Sequence, residues 1–150
     1  MIRVELQNAS TYSAIPPKKQ FSLWAKAAVR KKKAEIVIRV VDEVESAEMN
    51  EHYRGKPGPT NVLSFPFQAP PGISTTILGD LLICAPVVER EAREQGKNLP
   101  AHWAHMVVHG VLHLQGYDHI DENEAVIMES EEIAIMNGLG FPNPYQEACS

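Results

Sequence analysis

His109-Gly110-Val111-Leu112-His113-Leu114-Gln115-Gly116-Tyr117-Asp118-His119 is the stretch on which the fold of this chain turns. Residues four apart on a helix project from one side, about 6 Å apart along the axis, so His109 and His113 can aim two imidazoles at one ion. Gly116 then tolerates the backbone reversal that ends the helix, and the returning chain can present His119 to the same point. Three neutral nitrogen donors, with no acid or thiol at those positions, suit zinc better than magnesium, although nickel, copper and iron also accept imidazole. Three protein ligands rather than four is the pattern of catalytic zinc, with the remaining position open to a water whose pKa falls to roughly 7. One Zn2+ per chain on His109, His113 and His119 is the expectation. The plainer reading, three packed histidines bonded to carbonyls, does not account for the glycine and the third histidine at this spacing.

The HxxxHxxGxxH spacing resembles that of the metzincin zinc peptidases, whose motif places a glutamate directly after the first histidine as general base. Here that position is Gly110, which carries no proton acceptor, so peptide hydrolysis is disfavoured. His102 and His105 stand one to two turns earlier, too far along the axis to complete the same site. They are expected to be partly exposed or carbonyl-bonded, with His105 the one that could support the metal indirectly. Other polar candidates are Arg54 at a helix end, Asp80 in a strand and Asp118 beside His119. Each also has a local reading, as neutraliser of helix carbonyls, partner of backbone donors and helix cap respectively.

Outward from the motif, Asn98-Leu99-Pro100 opens its helix, which runs to about Gln115, and a last helix is expected from about Asp121 to Asn137, closed by Gly138. Upstream, Ile2, Val4 and Leu6 alternate as a half-buried strand. Phe21, Trp24, Ala25, Ala28 and Val29 recur at helical spacing between about Gln20 and Lys33, and the β-branched run 35–41 reads as a second strand. Ser46 is a plausible N-cap for a short helix reaching Tyr53, with Gly55 placed to end it. Residues 61–67 read as extended, with Pro66 marking an edge strand, and residues 77–84 as another strand. Pro86 suits the first turn of a helix running to about Gln95. The sum is an α+β class: a single domain with a small mixed sheet of about four strands and about five helices.

The chain of 150 residues, 44% hydrophobic, can bury its own core as one domain. No apolar run is long enough to span a bilayer, and the start lacks the plan of an export signal, so a cytoplasmic protein is expected. Cys84 and Cys149 form no CxxC pair; Cys84 reads as a buried thiol and Cys149 as a tail thiol. The net charge of −5 conceals an asymmetry, +7 over residues 1–40 and −12 over the rest. Lys18, Lys19, Arg30, Lys31 and Lys32 belong to the basic end and could contact phosphates if they share a face; a solvated helix end is the alternative.

Together with Tyr53-Arg54, residues 59–67 (PTNVLSFPF) and Leu78-Gly79-Asp80, the histidine string resembles the YbeY family of bacterial rRNA maturation endoribonucleases over nearly the whole chain. The resemblance implies a zincin-like α+β fold, zinc on three histidines and metal-dependent cleavage of single-stranded RNA. It further implies a part in 16S rRNA 3′-end maturation and ribosome quality control, with a small-subunit ribosomal protein and a ribosome-associated GTPase as helpers. Residues 1–150 would form one metal-dependent endoribonuclease domain. By position His109, His113 and His119 match the family's ligands and Arg54 its activity-linked arginine, which could brace a phosphate beside a water activated at His113. Residues 64–67 would be cleft wall. The rival from another class is a ribosome assembly factor that binds RNA or protein around a structural zinc; a zinc peptidase or amidase is the weaker third.

Overall fold

The computed structural model describes residues 1–117 and 121–145. Strand β1 (Ile2–Asn8) turns Val4 inward, as its alternation requires. Helix α1 (Lys18–Ala28) buries Phe21, Trp24, Ala25 and Ala28, then stops five residues short of the expected Lys33. The apolar stripe ends at Ala28, and strand β2 (Ala34–Val41) must begin at Ala34 to pair with Ile2 in parallel, so the basic stretch 30–33 serves as the turn. Helix α2 (Glu43–Arg54) likewise departs from expectation. It starts after Asp42, and Ser46 lies buried in its second turn instead of capping it.

Strands β3 (Val62–Pro66) and β4 (Ile77–Cys84) are followed by helices α3 (Ala85–Glu94), α4 (Leu99–Leu114) and α5 (Glu122–Gly138). The Asn98 side chain accepts from the Ala101 N–H at the start of α4, and Asp121 accepts from the Glu124 N–H at the start of α5. Gly116, at φ 98°, turns the chain just beyond α4.

The sheet order is β1-β2-β4-β3, with the first two pairings parallel and β3 antiparallel to β4. Pro66, which has no N–H to donate, therefore sits in an edge strand, as read from the sequence. Among the described residues, four strands and five helices make one small α+β domain, as expected. One sheet face, carrying Ile36, Ile38, Leu81 and Ile83, packs on α1 and α4 around Phe21 and Trp103. On the other, Met49 of α2 meets Val41, Leu63 and Leu82. Cys84 is a buried free thiol, and Cys149 lies outside the described residues. Among the described residues no helix is long and apolar enough to cross a membrane.

Candidate metal centre and cleft

Four histidines, His102, His105, His109 and His113, follow one stripe of α4, with adjacent ring centroids 6.3, 6.0 and 4.6 Å apart. Two of them converge. The Nε2 atoms of His109 and His113 lie 3.1 Å from each other. Two nitrogens bound to one tetrahedral zinc at about 2.05 Å would stand roughly 3.3 Å apart, so this pair fits an ion with little adjustment. His119 and Asp118 lie outside the described residues.

Behind the pair stands Glu132 of α5, 0% exposed. Its Oε1 accepts from His109 Nδ1 at 2.6 Å, and its Oε2 accepts from His105 Nε2 at 2.8 Å and from the Tyr145 hydroxyl. Burial alone would raise this carboxyl, but hydrogen bonds from both imidazoles and from the Tyr145 hydroxyl outweigh it and hold the pKa at about 2. A carboxylate that can only accept forces the proton of His109 onto Nδ1 and leaves the Nε2 lone pair directed at His113, the state a metal ligand needs. Burial pushes His105 below the usual imidazole range against the opposing pull of Glu132. Burial and the adjoining carboxylate push the Tyr145 phenol up, so it remains a donor.

His105, His109 and Glu132 form a group whose ligand atoms lie within 4.8 Å of one another and could hold a metal ion. The separations of 2.6 and 2.8 Å are those of charge-assisted hydrogen bonds and are short for two ligands of one ion. Neither His102 nor His105 takes the exposed or carbonyl-bonded role expected of it. Both are buried, and each donates to a carboxylate, His102 Nε2 to Glu91 of α3 at 3.0 Å.

The converging pair opens into a cleft of about 480 Å³ lined by Tyr53, Arg54, Asn61, Ser64, His109 and His113, with Val62 and Leu63. Arg54 is the last residue of α2, exposed, released where Gly55 at φ 68° returns its N–H to the Glu51 carbonyl. Ser46 and Asn50 fix the following loop to the same helix. Ser46 Oγ donates to the Thr60 carbonyl at 3.0 Å and accepts from its N–H at 3.1 Å, and Asn50 Nδ2 donates to Gly58 at 2.9 Å. Asn61 then enters β3 with its amide held by Glu91 at 3.1 Å. Ser64 stands on the cleft wall, its hydroxyl 3.3 Å from the Gly110 carbonyl.

Gly110 is a packing requirement as well as a missing base. A Cβ there would lie 2.7 Å from Cδ2 of the fully buried Leu81, and it would point into the sheet. Asp80, next to Leu81 in β4, faces away from α4 and has no part in the cleft; burial and then Glu5 raise its pKa. The five basic residues singled out from the sequence do not line the cleft. Lys18 and Lys19 open α1 while Arg30, Lys31 and Lys32 follow its end, roughly 16 Å away along the axis. Arg30 is paired with Glu131.

Sequence reasoning missed Glu132, Glu91 and Tyr145. One signal was present for the first: Met128, Glu132, Ile135 and Met136 form the buried stripe of α5, which runs through an acid.

A family model described as Endoribonuclease YbeY matches residues 5–140. The chain belongs to the YbeY family. The family's Endoribonuclease YbeY from Methylococcus capsulatus is 67% identical over 147 residues, covering 98% of this chain and 97% of that protein. The solution structure of TM1509 from Thermotoga maritima shares the fold, with a TM-score of 0.55 and 24% identity over 97% of this chain and 99% of that one. YbeY membership agrees with the resemblance carried by the histidine string and by residues 59–67.

Proposed function

We propose that this chain is a zinc-dependent endoribonuclease in which His109, His113 and His119 hold the ion and Arg54 engages the scissile phosphate. The carrying observation is that Arg54 lines the same cleft as the converging Nε2 atoms of His109 and His113. When bound, zinc supplies a Lewis acid and lowers the pKa of water toward neutrality. The chain's own residues do the rest. Glu132 keeps the His109 lone pair directed at the site, and Arg54 offers a planar fork matched to phosphate oxygens, with charge where a phosphodiester gains it.

Single-strand preference is supported by Tyr53, 52% exposed beside Arg54 and backed by Phe65 with ring centroids 4.5 Å apart. An unstacked base can lie on such a ring, which a duplex would withhold. The substrate in this reading is ribosomal RNA, cut during 16S 3′-end maturation and ribosome quality control in the cytoplasm, with a small-subunit protein and a GTPase assisting. Lys18, Lys19, Arg30, Lys31 and Lys32 would meet only RNA that extends beyond the cleft. A hydrolytic cut leaves a 5′-phosphate and 3′-hydroxyl, whereas attack by the internal 2′-hydroxyl leaves a 2′,3′-cyclic phosphate.

Arg54→Ala should cut single-stranded RNA about 100-fold more slowly at unchanged zinc content, and Arg54→Lys should recover part of the loss. Equal cleavage by Arg54→Ala and wild type, or by wild type with and without a chelator, would remove the catalytic assignment.

A further inference from the structure

We propose that the C-terminal segment is a working part of the metal site, with Tyr145 acting through Glu132 to position His109. This rests on the reading of His109 and His113 as ligands. Four observations carry it. Glu132 has no solvent exposure, so its orientation is set wholly by its protein partners. Those three partners come from two places: His109 and His105 on α4, and Tyr145 beyond α5. The tyrosine is held where it stands, since Lys97 Nζ donates to the Pro144 carbonyl at 2.7 Å and the Tyr145 N–H donates to Asn143 Oδ1 at 2.8 Å. Its ring also lies edge-on to His105, with centroids 5.3 Å apart.

The physical consequence runs through hydrogen-bond supply. An ionised carboxylate has about four acceptor sites, and in an apolar interior each donor fixes its plane and compensates for lost water. With His105 and Tyr145 on Oε2, Oε1 is held toward His109, and the imidazole is locked in one tautomer and one ring orientation. Loss of the phenol leaves Oε2 with a single donor and opens a path for water to reach the carboxylate. Tyr145 is therefore a positioning residue, two hydrogen bonds away from the ion.

The test uses the full chain and zinc itself, with affinity measured by competition against a chromophoric chelator. The His109 tautomer is read from two-bond 1H–15N correlations in metal-free protein. Glu132→Gln should weaken zinc by about 10–100-fold and mix the His109 tautomers, since an amide cannot accept from every donor at once. Tyr145→Phe should weaken zinc in the same direction by a smaller factor. Glu91→Gln, which breaks the other histidine–carboxylate pair of α4, should leave zinc affinity unchanged. Wild-type zinc affinity in both Glu132→Gln and Tyr145→Phe would overturn the inference, as would an equal loss in Glu91→Gln. If His113→Ala kept its zinc, the ligand reading itself would fail; if His113→Ala lost zinc while Tyr145→Phe and Glu132→Gln kept it, only the role of the C-terminal segment would fail.

Discussion

At the scale of the residue, the histidine pair could be read from spacing alone, because a separation of four is enforced by helix geometry. Gly110 could be read as the loss of a base, but not as a contact. Its opposite number, Leu81, is 29 positions away in a strand, and only the packing of α4 on β4 brings its Cδ2 within 2.7 Å of the missing Cβ. Gly110→Ala should accordingly destabilise the protein by about 1–3 kcal/mol through overpacking, measured by urea denaturation. An unchanged midpoint would mean that Leu81 yields more freely than its full burial implies. Nothing in the sequence beside His102 and His105 names their carboxylate partners, since Glu91 and Glu132 are 11 and 27 positions from them. Glu132 is further disguised by the run Glu129-Ser130-Glu131-Glu132, which reads as a solvated face.

At the scale of the element, the strands were legible because alternation and β-branching report burial directly; β4 spans the expected residues 77–84. Helix ends were less so. Residues 30–33 have ample helix propensity, and only the register Ile2↔Ala34 explains why α1 gives them up. Ser46 carries the residue type of a cap but is spent on the loop, bridging both backbone groups of Thr60. Ser46→Ala should cost about 1–2 kcal/mol, because it strands a backbone donor and acceptor in a half-buried place. It should also slow RNA cleavage, since the same loop joins Arg54 to Asn61 and the cleft wall. Wild-type stability and rate together would detach the loop from the site.

At the scale of the molecule, α3 and α5 serve α4 from two sides, each lending a carboxylate to its histidine stripe. Burial works to raise the Glu91 carboxyl, but hydrogen bonds from His102 and Asn61, with the charges of His102 and Lys97, leave it below its ordinary 4.5. A carboxyl depressed by folding stabilises the native state fully above the unfolded pKa and loses that contribution as pH falls through the folded value. The urea midpoint of metal-free protein should therefore fall from about pH 4.5 downward, and fall less steeply in Glu91→Gln. Identical slopes would show that Glu91 gains nothing from His102. The fold class and the spacing that brings His109 and His113 together were thus open to sequence reading, while the carboxylates behind the histidine stripe were not, because they are brought there by contacts of α4 with α3, α5 and the segment beyond α5.

The most direct measurement is the zinc content of His113→Ala beside wild type, by elemental analysis after dialysis. One ion per chain in wild type and none in the variant is the predicted result. A variant that kept one ion per chain would place the metal on His105, His109 and Glu132 instead, and would contradict a site built on the converging Nε2 atoms of His109 and His113.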